Sequence, residues 1–266
     1  MSQNSHIPFI KASAYGNDFL IVRKEFQGAD AAGLTRALCD RHNGVGADGV
    51  EWLSDADGYA ARIELINADG SAAELSGNGT RCVAAHLAAS GGGKELLIAT
   101  DAGARRCTLT GRDGNRFDFL TEMGTPAIGQ KLGIDLGHVL YTGVPVSMGN
   151  PHFVIFVPEF PADWRQDSQL IQARSELFPR GINVEWVRCD TASQITIRIY
   201  ERGAGETHSS GTGTSASAAA AIVNHHLAAN LTVVAPGGVQ RVRWMPGRSL
   251  KLEGAACLIC NGEFFV

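Results

Sequence analysis

Hydrophobic positions along the chain fall into two kinds of run. Short runs rich in β-branched and aromatic residues recur from end to end: FLIVRK, ARIELIN, ELLIAT, RFDFLT, HFVIFV, NVEWVR, ITIRIY, LTVVA, RVRWM and LKLEG. These predict strands. Helical patterns are fewer. ADAAGLTRALCDRH has helical spacing and ends near NGVGADG, while TRCVAAHLAA and TSASAAAAIVNHHLAA are apolar nearly all round. A helix apolar on every side is one buried within sheets. Strands outnumber helices and do not alternate strictly with them, so the expected class is α+β rather than a doubly wound α/β fold.

Both buried-helix candidates open on the same glycine-broken turn, ELSGNGT at 74–80 and HSSGTGT at 208–214. In each a serine precedes Gly-x-Gly-Thr, and the two serines, Ser76 and Ser210, are 134 residues apart, about half the chain. The same offset carries IELINADG from Ile63 onto IRIYERGAG from Ile197 and sets Asn67 on Glu201. YGNDF, containing Asn17, matches MGNPHF, containing Asn150, at an offset of 133. Two similar halves are expected, each offering strand, polar turn, SG-x-GT and buried helix. The N-terminal half is placed at 1–124, joined by a final strand at 259–266, and the C-terminal half at 125–258. The join falls near EMGTPAIGQ (122–130), and a site is expected where the halves meet.

Composition narrows the partners. A chain of 266 residues with 44% hydrophobic and 19% charged residues can bury a large core and reads as globular. Its net charge of −4 and lack of a basic stripe speak against nucleic acid. The N-terminus lacks a basic region followed by an apolar one, and no stretch approaches the roughly 18 apolar residues of a membrane span. A cytoplasmic protein is the expectation. The six cysteines are expected as free thiols. The single CxxC, Cys257 and Cys260, has no second pair to complete a zinc site, so no metal is expected.

A glycine-rich turn ending as a helix N-terminus exposes unpaired N–H groups at the positive end of the helix dipole, a place that binds anions. Two such turns in matched halves could hold one carboxylate between them; a plain serine N-cap is the alternative for either turn alone. No Lys-Ser/Thr follows at P-loop spacing. GVGADG (44–49) satisfies G-x-G-x-x-G but follows CDRHN rather than a strand, which disfavours a dinucleotide site.

Taken together, YGNDF, LCDRHNGVGADG, INADGSAAELSGNGTRC, VSMGNPHFVIFV, FPRGINVEWV, ERGAGETHSSGTGT and APGGVQRVRW resemble the diaminopimelate epimerase family, in that family's order and over nearly the whole chain. The resemblance implies two pseudo-symmetric halves, each a mostly antiparallel sheet wrapped around a central helix, with the active site in the cleft between them. It implies inversion at an amino-acid α-carbon, LL- to meso-diaminopimelate in lysine and cell-wall biosynthesis, with no cofactor, neither pyridoxal phosphate nor metal. One cysteine thiolate removes the α-proton and a second cysteine thiol delivers a proton to the opposite face. It further implies that Asn17, Asn67, Asn150, Asn183 and Arg202 hold the far end of a dicarboxylic amino acid. Backbone N–H groups around Gly77, Asn78, Gly211 and Thr212 hold the reacting carboxylate, with His152 and Glu201 beside the catalytic pair. It leaves room for a homodimer.

One departure is central. Where the family has its catalytic cysteines, this chain has Ser76 and Ser210. A free thiol has a pKa of about 8.5, lowered at a helix N-terminus. An alcohol is a far weaker acid, and a dipole contributing on the order of 1 kcal/mol does not close that gap. Cys82, six residues after Ser76, lies too far along the helix to substitute. Three readings stay open: an epimerase with its substrate site intact and its thiols exchanged; a relative performing another proton transfer, such as isomerisation or dehydration, with His152, Glu201 or a serine-bound water; and a non-catalytic amino-acid binder. The retained binding residues favour the first. The polar THSSGTGTSAS, where the family commonly has TLACGTGACA, points to natural divergence.

Overall fold

The structure, a computed structural model, describes residues 6–266. The chain divides into two units, one running through Thr121 and completed by Gly254–Val266, the other spanning Glu122–Glu253. Among the described residues no helix is long and apolar enough to cross a membrane.

The first unit begins with a hairpin, β1 (His6–Ala14) and β2 (Asn17–Arg23), turned through Tyr15 and Gly16, both at positive φ. Helix α1 (Ala31–Cys39), capped by the Asp30 carboxylate on the Gly33 N–H at 2.8 Å, crosses over to β3 (Gly49–Ser54). β3 therefore lies parallel to β2, and β4 (Ala61–Asn67) returns antiparallel to it. The short β5 (Ala72–Ala73) leads into α2 (Gly77–Ala89). A parallel partner for β4 follows, β6 (Glu95–Ala99), and then the antiparallel β7 (Arg105–Asp113) and β8 (Arg116–Gly124).

The second unit repeats this order. After β9 (Ala127–Ile128) and β10 (Leu132–Asp135), β11 (Leu140–Ser147) pairs antiparallel with β12 (Pro151–Phe156). Helix α3 (Trp164–Gln172) crosses to β13 (Asn183–Thr191), parallel to β12, and β14 (Gln194–Glu201) returns antiparallel. β15 (Gly205–Thr207) leads into α4 (Gly211–His225), followed by β16 (Asn230–Ala235), parallel to β14, and the antiparallel β17 (Gly238–Arg243). β18 (Leu250–Phe265) pairs first with β17 and later along its length with β1. Each unit is thus mostly antiparallel, with its parallel steps made by crossover helices.

In each unit the helix that opens on SG-x-GT is the buried one. Gly77 through Ala85 of α2 are buried against β1, β2, β6 and β7, and Gly211 through Ile222 of α4 against the strands of its own unit. Alanines and glycines let the sheet approach closely, while Ile, Val, Leu and Phe from the strands supply most of the apolar area. The outer helices are fastened by a repeated device. Trp52 of β3 donates its indole N–H to Thr35 of α1 at 3.3 Å, and Trp186 of β13 donates to Ser168 of α3 at 2.8 Å. Both indoles are fully buried, so each N–H needs that acceptor.

Helix α3 lies where sequence patterning predicted none. Its buried face is Trp164, Asp167, Ser168 and Ile171, so half of what it buries is polar. Asp167 is satisfied there by the Tyr141 hydroxyl at 2.7 Å and His138 Nε2 at 3.0 Å.

Candidate active site

The turn before each buried helix is built by its serine. Ser76 and Ser210 have extended backbone (φ −117° and −143°), and each turns its side chain back as an N-cap. Ser76 Oγ accepts from the Gly79 N–H at 3.0 Å and Ser210 Oγ from the Gly213 N–H at 3.1 Å. Gly77 and Asn78 head one helix and Gly211 and Thr212 the other, all four buried, so their N–H groups sit at the positive end of a helix axis. The glycines at the third position leave room for two buried carboxyl groups. A Cβ on Gly79 would come within 1.8 Å of Glu51 Oε1, and one on Gly213 within 2.8 Å of Glu185 Oε1.

Around Ser76, the Tyr15–Gly16 turn sets Asn17 as the first residue of β2. Tyr15 tolerates its left-handed φ of 57° because its hydroxyl accepts from the Ala255 N–H at 2.9 Å and its ring lies under the Arg81 guanidinium. Asn78 Nδ2 donates to Asn17 Oδ1 at 3.5 Å, while Asn17 in turn donates to Asp48 and Arg81 donates to Asn78. Arg41 holds Asp18 and Asp48 at 2.8 and 2.7 Å. Asn67, opposite Gly49 in the β3–β4 pair and so next to Asp48 along the sheet, donates to Ser71 Oγ at 3.0 Å within its own turn. Arg81 is fully buried, and burial pushes its guanidinium pKa down.

Around Ser210 the groups are linked in series. His152 Nδ1 lies 2.7 Å from Glu185 Oε1, and its Nε2 lies 2.9 Å from Asn150 Oδ1. Asn150 Nδ2 donates to Thr212 Oγ1 at 3.2 Å, and Thr212 Oγ1 is 3.4 Å from Ser210 Oγ. Glu185 and the His152 side chain are fully buried, and Asn150, Thr212 and Ser210 are at most 8% exposed. Glu201 lies close to Ser210, and burial pushes its carboxyl up. Asn183 donates to the Pro151 carbonyl at 2.9 Å and accepts from the Arg202 backbone N–H at 2.9 Å, which fixes where the Arg202 side chain starts.

Each unit therefore gathers a share of the candidate residues. Asn17, Gly77 and Asn78 lie with Ser76, whereas Asn150, His152, Glu201, Gly211 and Thr212 lie with Ser210. Sequence reading missed Glu51 and Glu185. They sit inside strand runs, VEWL and VEWV, and the signal available was the same 134-residue offset. Glu51 is fully buried, neither carboxyl oxygen has a hydrogen-bond partner among the described residues, and burial pushes it up to about 8.

Cys82, the cysteine nearest Ser76 in sequence, offers no replacement thiol. All six cysteines are free. Cys82 is fully buried on α2, and burial pushes its thiol far above the usual range. Among the described residues no three His, Cys, Asp or Glu side chains are grouped to hold a metal ion.

The model of the family described as Diaminopimelate epimerase matches residues 9–128 and 144–254. A diaminopimelate epimerase of Corynebacterium glutamicum is 35% identical over 98% of this chain and 99% of its own length. One from Pelotomaculum thermopropionicum is 34% identical over 96% and 98%. Among solved structures, a hydroxyproline epimerase from Agrobacterium vitis superposes with a TM-score of 0.79 at 15% identity, covering 100% of this chain and 94% of that one. At that identity the likeness is one of fold.

Proposed function

The chain belongs to the diaminopimelate epimerase family, and from that membership we propose that it is a cofactor-independent isomerase of the epimerase/racemase kind. Its substrate is a diaminopimelate-like dicarboxylic amino acid, with Ser76 and Ser210 standing where the family has its two proton-transferring cysteines. The N–H groups of Gly77, Asn78, Gly211 and Thr212 receive the reacting carboxylate, a use that suits two helix N-termini. Arg202, with Asn17, Asn67, Asn150 and Asn183, receives the distal ammonium and carboxylate, where a guanidinium gives paired, charge-assisted hydrogen bonds. The observation that carries the reading is the repeated N-cap: two serines 134 residues apart, each closing the first turn of a buried helix on a glycine N–H.

The chemistry is slowed by the serines. Neither alcohol holds a useful population of conjugate base near neutral pH, and inversion needs a base on one face and an acid on the other. α-Deuterium uptake from D₂O, followed with diaminopimelate and a panel of amino acids alongside chiral analysis, tests the reading. Exchange with diaminopimelate alone supports it, and exchange only with a monocarboxylic amino acid contradicts it.

A second reading, a different proton transfer with Glu201 or His152 as base, is favoured by the buried carboxyl of Glu201 close to Ser210, which burial pushes up. A carboxyl raised by burial is better matched to proton transfer near neutral pH than either serine. Robust exchange by the unmodified chain that Glu201→Gln abolishes would establish it.

A further inference from the structure

The chain of groups behind Ser210 has a proton inventory that can be counted. Asn150 donates from Nδ2 to Thr212 and so turns its carbonyl oxygen to His152. A carbonyl oxygen only accepts, so Nε2 of His152 carries a proton in this arrangement. On the other side Nδ1 meets Glu185 Oε1 at 2.7 Å, and one proton lies between them on either atom. The Glu185–His152 pair thus holds two protons and is neutral overall. Thr212 accepts from Asn150, so its hydroxyl hydrogen is free to be given to Ser210 Oγ, 3.4 Å away, whenever that oxygen carries charge. Ser210 Oγ accepts from Gly213 N–H and has room to accept from Thr212 O–H as well.

Remove one proton from the pair, to bulk water, and the series must reverse. Nδ1 keeps its hydrogen for the carboxylate, Nε2 becomes an acceptor, and the Asn150 amide turns over to donate to it. Asn150 Oδ1 then takes the Thr212 hydroxyl hydrogen, and Ser210 loses one of its two donors. The first arrangement supports negative charge on Ser210 Oγ with two hydrogen bonds, the second with one.

We propose that Glu185 is a positioning residue whose shared proton with His152 sets the direction of the hydrogen-bond series through Asn150 and Thr212, and so the capacity of Ser210 Oγ to carry negative charge. The inference rests on the reading of Ser210 as a proton-carrying group, but the switch itself is observable without turnover. The titratable groups facing His152 are Glu185 on β13 and Glu201 at the end of β14; β11 and α4 bring no charged side chain to it. The N-terminal unit has no such switch, since the position matching His152 at the 133-residue offset is Phe19 and Glu51 is left without a partner.

The test is nitrogen-15 NMR of the whole protein across its stable pH range, with the His152 signals identified by their loss in His152→Gln. In the wild type, Nε2 is expected to carry a proton at low pH and to lose it as pH rises while Nδ1 keeps its own. The Asn150 side-chain amide signals should move with the same midpoint. In Glu185→Gln, a same-size change, the ring should hold a single proton across neutral pH and the Asn150 signals should lose their pH dependence. A wild-type ring that never loses the Nε2 proton, Asn150 signals that ignore the ring, or an unchanged Glu185→Gln spectrum would each overturn the proposal. If Glu185→Gln does not fold, the wild-type titration alone decides. If the switch is observed but Ser210→Ala leaves α-proton exchange unaffected, the serine assignment fails and the switch stands.

Discussion

Glu51 and Glu185 occupy matching places, 134 residues apart, each with its Oε1 against the third residue of a serine-capped helix, Gly79 in one unit and Gly213 in the other. Glu185 is bonded to a histidine, whereas Glu51 has no partner among the described residues. A buried acid without a partner is held neutral, and that has a measurable signature.

Burial raises Glu51 from 4.5 to about 8. Between those values the unfolded chain has lost the proton and the folded chain keeps it, so unfolding releases a proton and stability falls as pH rises. The stability is fully present below about pH 4.5 and lost by the time pH passes 8, with a total change on the order of 4–5 kcal/mol. Urea unfolding at intervals across this range should show that decline in the wild type and lose most of it in Glu51→Gln. Equal slopes in the two proteins would contradict the assignment.

The two glycines should differ in tolerance. Gly79→Ala drives a methyl to within 1.8 Å of Glu51 Oε1, and Gly213→Ala comes only to 2.8 Å from Glu185 Oε1. Gly79→Ala is expected to cost about 1–3 kcal/mol, the range of overpacking in a close-packed interior, and more than Gly213→Ala. Glu51→Ala should relieve the first, giving a favourable coupling in a double-mutant cycle. Strict additivity would show that the clash is absorbed elsewhere.

Ser76→Cys together with Ser210→Cys is expected to produce epimerisation of diaminopimelate, with either single change giving at most weak, one-sided exchange. The pair acts as a unit, so the single effects should not add. α-Deuterium incorporation with chiral product analysis distinguishes the cases. No activity in the double variant, with ligand still binding, would show that the surroundings have diverged to another reaction.

Arg202→Ala should weaken binding of a diaminopimelate-like ligand by about 2–5 kcal/mol, since a bound carboxylate would lose its charged partner. Titration calorimetry reads this directly. Unchanged affinity would remove Arg202 from the site.

Much of the fold was legible because its signals are local. Ser76 and Ser210 announced helix starts through the spacing of serine and glycines, and the alanine-rich run after Ser210 announced burial. What stayed hidden depended on burial on both faces. β3 and β13 are buried over nearly successive residues, with a crossover helix on one side and a buried helix on the other. Alternation therefore does not tell which face Glu51 or Glu185 takes. α3 escaped for the opposite reason, because its buried face includes Asp167 and Ser168, which read as solvent-facing until Tyr141 and Trp186 are seen to bond them. The roles of Asn17, Asn150 and Arg202 came from resemblance to a family, not from any pattern in their neighbours.

The path of β18 also bears on how the chain is made. The second unit closes at Glu253, while the first needs residues 254–266, whose strand pairs with β1 from His6 onward. On a ribosome releasing the chain from its amino end, the earlier-made unit must wait for residues 254–266 to be translated. The later-made unit already has all its strands by then. Vectorial synthesis usually favours the amino-terminal domain, and here the order is inverted. β1 is made long before β18, so its edge stays unpaired until residues 257–265 follow, and an open strand edge of that kind is what chaperones protect during synthesis.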